Sequence, residues 1–233
     1  MVVRRAAAPR LTRDKVLAAA IGIADREGLA AVSMRRVATE LGVDPMSLYR
    51  HVGDKDGLVD AMTDAVVASI EPVPRTGAWA DDARATMLAA RAAMARHPWT
   101  ADAIKGRPSP TPAALRHLDT FLGILRDGGF SVALTHHAIH VLGSRILGFS
   151  QDLYADDADV RADPAVEEAQ ARALGATFPR LGELALAVRH EGPLGGCDDD
   201  AEFAFALDVA LEGLGRRLGA GEGVVSTSST TGG

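Results

Sequence analysis

The sequence predicts an all-α fold in which three short N-terminal helices and a connecting fourth precede a larger helical body. Three observations carry that expectation. Alanine and leucine dominate an apolar fraction of 47%, while aromatics make up only 4%, a balance that suits closely packed helices better than a sheet. No segment alternates apolar and polar residues for long enough to form a strand. Instead, apolar residues recur three and four apart, and the early runs sit between a Ser, Thr or Asp start and a Gly stop.

The elements follow in order. Residues 1–11, with Arg4, Arg5 and Arg10, read as a flexible basic arm. In "LTRDKVLAAAIGIADREG", Thr12 caps a helix whose Val16, Leu17, Ala20, Ile23 and Ala24 share one side, and Gly28 stops it. Ser33 caps a second, with Met34, Val37, Ala38 and Leu41 on one stripe and Gly42 at its end. Asp44 and Pro45 start a third, which closes at Gly53. Asp54 starts a fourth over 54–70, with Leu58, Met62, Val66 and Ile70 on one face. "EPVPRTG" marks a domain boundary, so residues 12–71 form one domain and 76–220 another. In the second, helices are expected at 79–96, 110–128, 131–154, 163–178 and 199–219. Residues 221–233 are a low-complexity tail, expected to be disordered.

Charge is distributed unevenly. Residues 1–57 hold 10 Lys/Arg against 7 Asp/Glu, whereas the rest of the chain holds 15 against 24. A basic head on an acidic body points to nucleic-acid contact at one end, although a segment of +3 is also compatible with an ordinary solvated surface. The single cysteine, Cys197, excludes an internal disulfide framework. No apolar run approaches the roughly 20 residues of a membrane span, and no signal-peptide pattern opens the chain. A soluble, cytoplasmic, nucleoid-associated protein is expected. No Gly-rich phosphate loop, catalytic-triad spacing or carboxylate pair stands out, so neither an enzyme nor a cofactor is expected.

The third helix holds the most information. Asp44 as N-cap can accept from the Ser47 amide, and Pro45 at the first helical position loses no needed donor. Val43 with Leu48, and Val32 with Val37, occupy hydrophobic-staple positions. Two short capped helices joined by a Gly-containing turn describe a helix-turn-helix over 33–52. At 100° per residue, Leu48 and Val52 define the buried stripe, while Met46 and Arg50 lie opposite with Ser47 and Tyr49 beside them. Arg can fork onto guanine O6/N7, Ser and Tyr can bond phosphates, and Met can touch a thymine methyl. The alternative is that Met46 packs on a neighbour and Tyr49 and Arg50 form a solvated face.

The stretch "GLAAVSMRRVATELGVDPMSLYRHVGDKDGLVDAM" resembles the DNA-binding domain of the tetracycline-repressor (TetR) family of one-component regulators. The pattern A-x-x-L-G-V-x-x-x-x-L-Y-x-H-V-x-x-K-x-x-L runs intact from Ala38 to Leu58. The resemblance implies that Pro45, Met46, Ser47, Tyr49 and Arg50 face double-stranded operator DNA. It implies a backbone-side contact from His51 and a phosphate contact from Lys55. Ser33, Arg35 and Asp44 complete the DNA-side candidates. It also implies a homodimer, a small-molecule effector and, by default, repression.

The body resembles the family's C-terminal domain through Trp79, "RHPW", "GRPSP", "LRDGGFS" and "LGSRILGFSQDL", in the right order. That implies an effector pocket, with helices 131–154 and 199–219 packing on their symmetry mates. In the latter, Phe203, Leu207, Ala210, Leu211, Leu214 and Leu218 form one stripe that suits either a dimer interface or an internal core. Tetracycline-binding members hold histidines where this chain has "TADAIKGRP" and "VVASIEPV", so a different, largely apolar effector is expected. Candidate pocket residues by position are Trp99, Ile104, Phe121, Leu125, His137, Val141 and Phe149. His136 and His140, four apart, leave open a metal-sensing regulator or a metal-dependent helical enzyme. Three aspartates after Cys197 disfavour a reactive thiolate there.

Overall fold

The computed structural model describes residues 11–148, 164–187 and 199–221, and every regular element among them is helical. The order is α1 Arg13–Glu27, α2 Met34–Leu41, α3 Met46–Val52, α4 Lys55–Ala68, α5 Trp79–Arg96, α6 Thr100–Lys105 and α7 Pro112–Asp127. There follow α8 Val132–Gly148, α9 Pro164–Thr177, α10 Pro179–Ala187 and α11 Asp199–Gly219. A 3-10 turn, Leu29–Ala31, links α1 to α2. The chain groups into two compact units, Met1–Ile139 with Arg217–Gly233, and His140–Arg216.

In the first unit, α1 packs on α2, α3 and α4 around a core that includes Val16, Ile23, Val32, Val37, Leu48, Leu58 and Met62. The capping residues expected from the sequence work as expected at three starts. Thr12 Oγ1 accepts from Lys15 N–H, Ser33 Oγ from Arg36 N–H, and Asp54 Oδ1 from Gly57 N–H. The start of α3 differs. Asp44 Oδ1 accepts from Met46 N–H at 2.7 Å, not from Ser47, whose amide instead reaches the Asp44 carbonyl at 2.9 Å. The first turn is wound tightly, with i to i+3 bonds from Ser47 and Leu48, so Asp44 closes an Asx turn around Pro45. Gly42, at φ 64°, makes the left-handed turn between α2 and α3.

Two helices were not expected as separate elements, α6 and α10. The first is six residues long, and the second starts on Pro179 only two residues after α9 ends. The expected helix at 131–154 is described as far as Gly148. The arm through residue 10, Phe149, Cys197 and the tail beyond Gly221 lie outside the described residues.

The linker 71–77 is fastened to α5 through Asp82, which is only 2% exposed. Its carboxylate accepts from Thr76 N–H at 2.8 Å, Thr76 Oγ1–H at 2.7 Å and Gly77 N–H at 3.2 Å, and pairs with Arg75. Arg75 also bridges to Asp127 at the end of α7. Trp79 stacks edge-on against Phe130, with centroids 4.7 Å apart. In the second unit, α9 and α10 pack as a pair, and a Cβ on Gly182 would lie 2.3 Å from the Gly175 Cα.

The Thr76 amide and hydroxyl, joined by Gly77 and Arg75, hold the Asp82 carboxyl below its ordinary range despite its burial. A depressed folded pKa means that the unfolded chain binds the proton more readily. The stabilisation is therefore present above the ordinary carboxylate range and is lost as pH falls through the lowered value. Asp82→Asn is expected to lower the urea midpoint at pH 7 and to flatten the fall in midpoint as the solution is acidified below about pH 5. In the head, a Cβ on Gly57 would sit 2.4 Å from the Val52 carbonyl oxygen. Gly57→Ala is expected to lose about 1–3 kcal/mol by the overpacking argument, read by urea unfolding followed at 222 nm.

Candidate nucleic-acid interface

The seven residues of α3 divide into two sets. Leu48 and Val52, one turn apart, are buried in the head core, while Met46 is 73% and Tyr49 43% exposed. Arg50 is exposed beside Tyr49, and its Nε donates toward His51 Nε2 at 3.4 Å. Pro45, Ser47 and His51 are half-buried at the margins of this face. The Ser47 hydroxyl donates to the Asp44 carbonyl at 2.6 Å, which leaves its oxygen lone pairs to accept. Asp44 and Lys55 are exposed at the starts of α3 and α4.

The structure thus gathers Pro45, Met46, Ser47, Tyr49, Arg50 and His51 on one short helix and its start. Ser33 and Arg35 lie at the start of α2. The Ser33 hydroxyl oxygen is engaged as the cap of that helix, whereas Arg35 is exposed. The neighbouring cation takes another role. Arg36 pairs with Glu27 and Glu40, each at 2.7 Å, and Arg26 joins Glu40 at 3.1 Å. The Arg36 guanidinium holds the Glu40 carboxyl below its usual range. This network fastens α2 to the end of α1, so the two adjacent arginines differ in kind. One is a strut and the other is open to an anion.

The exposed set offers a forked cation, a phenol, a hydroxyl and a thioether across about two helical turns. A seven-residue helix is roughly 10 Å long, a length that fits across a major groove about 12 Å wide.

The body candidates are placed less uniformly. Phe121 and Leu125 are buried one turn apart on α7, and Ile104 is half-buried on α6. His137 and Val141 are exposed on α8. Trp99 packs with the head core and donates its indole N–H to Asp25 at 2.7 Å. Burial lowers the pKa of His117, a half-buried α7 histidine that the sequence pattern did not single out. The His136 and His137 rings stand edge to face, 5.8 Å apart. Among the described residues, no three His, Cys, Asp or Glu side chains form a group that could hold a metal ion. None of the described helices is long and apolar enough to cross a membrane.

Comparison with known proteins agrees with the head and covers the body as well. The family described as bacterial regulatory proteins, tetR family, matches residues 16–62, and the tetracyclin repressor-like C-terminal domain matches 71–218. The HTH-type transcriptional repressor DrrR1 of Streptomyces coeruleorubidus is 34% identical over 212 residues, 88% of this chain and 78% of that protein. The class C tetracycline repressor of Escherichia coli is 27% identical over 211 residues, covering 88% of this chain and 91% of that one. Among solved structures, apo ActR from Streptomyces coelicolor superposes with a TM-score of 0.70 at 28% identity, over 91% of this chain and 98% of that chain. ActR has also been solved with actinorhodin, again with a TM-score of 0.70 and 28% identity, over 91% of this chain and all of that one. The chain belongs to the tetR family of bacterial regulatory proteins, and it is a transcriptional regulator, not an enzyme, whose N-terminal helix-turn-helix binds DNA.

Proposed function

We propose that this regulator is a ligand-responsive repressor that binds a palindromic operator as a homodimer and is released by a small-molecule effector. The observation that carries this reading is the division of α3, in which Leu48 and Val52 are spent on the core while Met46, Tyr49 and Arg50 face outward. Tyr49 and Arg50 supply base and phosphate contacts, Met46 an apolar one. Pro45, Ser47 and His51 flank them, and Lys55 with Arg35 adds phosphate-side charge. Residues 12–71 form the DNA-binding domain, 76–220 the effector-binding and dimerisation domain.

One such short helix spans only a few base pairs, so two heads on adjacent major-groove faces, about 34–36 Å apart, are needed for specificity. Helix α11 supports dimerisation in a particular way. Phe203, Leu207, Leu211 and Leu214 are already buried within one chain, whereas Phe205 and Val209 are 68% and 51% exposed on another face. The latter pair is the surface left for a second copy, together with α8. For the effector, the similarity to ActR makes actinorhodin a first probe. The 66–73 and 100–108 segments lack the histidines of tetracycline-binding relatives, which disfavours a tetracycline–magnesium complex.

An effector that prefers a different head spacing releases DNA with a coupling of about 1–3 kcal/mol. Gel-shift measurements on a duplex selected by the wild-type protein are expected to show binding abolished in Tyr49→Ala and Arg50→Ala, with helicity and oligomeric mass unchanged. Full binding by those variants would refute the reading. Lys55→Ala should bind more weakly and reduce the slope of log affinity against log salt by about 1.8, two phosphate contacts' worth, one from each protomer. Magnesium with tetracycline is expected to leave the complex intact in the same assay.

A further inference from the structure

Two carboxylates of the reading head accept hydrogen bonds from the stretch of chain that brackets α6, and a third forms an ion pair with it. Asp25, on α1, accepts from the Trp99 indole N–H at 2.7 Å, and the same oxygen lies 2.9 Å from His97 Nδ1. A carboxylate only accepts, so Nδ1 carries the proton in this contact. Asp60, on α4, pairs with Arg107. Asp64, one turn further along α4, accepts from Ala113 N–H at 2.6 Å at the start of α7. Trp99 and Ala103 also bury apolar surface with the head core.

These contacts do different physical work. Apolar burial is non-directional and holds two surfaces together without fixing their angle. Hydrogen bonds are directional, and those to a charged acceptor are stronger. Asp60 and Asp64 sit on one helix, so their ties leave a rotation about the line that joins them. Asp25 belongs to a different helix and supplies a third tie, made by two donors from the turn between α5 and α6. Its side chain is 28% exposed and that of His97 22%, so the pair is partly shielded from water.

We infer that Asp25 is a positioning residue: by holding His97 and Trp99 it fixes the angle of the reading head on helices α5–α7, and so the separation of two heads on DNA. It acts through geometry and touches no DNA itself. The inference rests on the operator reading above and is tested separately from it.

The wild-type protein selects a duplex from a random-sequence pool. Affinity is then measured for that duplex and for versions whose centre is one base pair longer or shorter, a change that moves one half-site by about 3.4 Å and roughly 35°. Wild type is expected to lose affinity steeply on respacing. Asp25→Ala is expected to bind the selected duplex about tenfold more weakly, within the usual range for coupled sites, and to lose less on respacing than wild type does. Helicity and oligomeric mass stay unchanged. Trp99→Phe reproduces the effect, and adding it to Asp25→Ala brings no further loss. Asp25→Asn, which keeps an acceptor but no charge, falls between. Wild-type affinity and spacing preference in Asp25→Ala overturn the inference, and so does an equal weakening at every spacing, which is what a merely structural role would give. A pool from which wild type selects nothing removes the operator reading itself, and this inference with it.

Discussion

The structure of the head is dictated by a helix that cannot hold itself. A seven-residue helix is well below the length at which isolated helices persist in water, so α3 exists only because other elements grip it. The grip is narrow. Leu48 and Val52 are its buried side chains, and they dock among residues from α1, α2 and α4. At its start, Asp44 takes the Met46 amide. At its end, the Val52 carbonyl is approached so closely by Gly57 that no side chain fits at position 57. Most of the head's buried apolar residues lie in the three longer helices, which form the platform for the short one.

That division of labour explains a local arrangement that would otherwise be unfavourable. A methionine left 73% exposed and a tyrosine left 43% exposed on a two-turn helix contribute little to folding. In the proposed operator complex their value lies on the other side of the interface, where a thioether can cover a thymine methyl and a phenol can reach a phosphate. The adjacent pair Arg35 and Arg36 shows the same separation within one residue. Arg36 is drawn into carboxylates on both sides, and Arg35, about 100° away round the helix, stays exposed.

Much of the head was legible in the sequence because its determinants are local. Thr12, Ser33 and Asp54 cap helices through bonds to residues three positions on. The stripes of α1, α2 and α4 are buried as their spacing predicts except at their ends, where Leu41 is half-buried and Ile70, also half-buried, falls beyond the last turn of α4. The detail that differed, the partner of the Asp44 carboxylate, depends on how tightly a proline-containing first turn is wound, which residue types alone do not fix. Helix α6 escaped because six residues before a Gly-Arg-Pro-Ser-Pro run carry too little periodicity to register. Helix α10 escaped because Pro179 could as easily end α9 as begin another helix. The contacts that orient the head were beyond reach for a different reason. Asp25 meets Trp99 from 74 positions away and Asp64 meets Ala113 from 49, and no pattern in a single sequence marks such pairs. Trp99 shows the consequence: chosen by position as a pocket residue, it packs with the head core.

Those long-range polar ties bear on how a regulator of this kind can be controlled at all. A reading head on a slack tether would keep the same distribution of orientations whatever happened in the rest of the protein, and no coupling free energy could arise. Here the linker is pinned by Asp82 through Thr76 and Gly77, and α4 is tied at Asp60 and Asp64 to the approach to α7. The joint between the head and α5–α7 therefore combines a few directional polar contacts with the apolar burial of Trp99 and Ala103. Polar ties of this kind each contribute on the order of 1 kcal/mol, or somewhat more where a charge is involved. Regulatory coupling typically amounts to about 1–3 kcal/mol, so exchanging one or two such bonds is enough to re-aim a head. A joint made mainly of apolar burial would need large surfaces to part for the same change. Directional bonds from a few carboxylates let the angle change while the apolar contact beneath them stays intact.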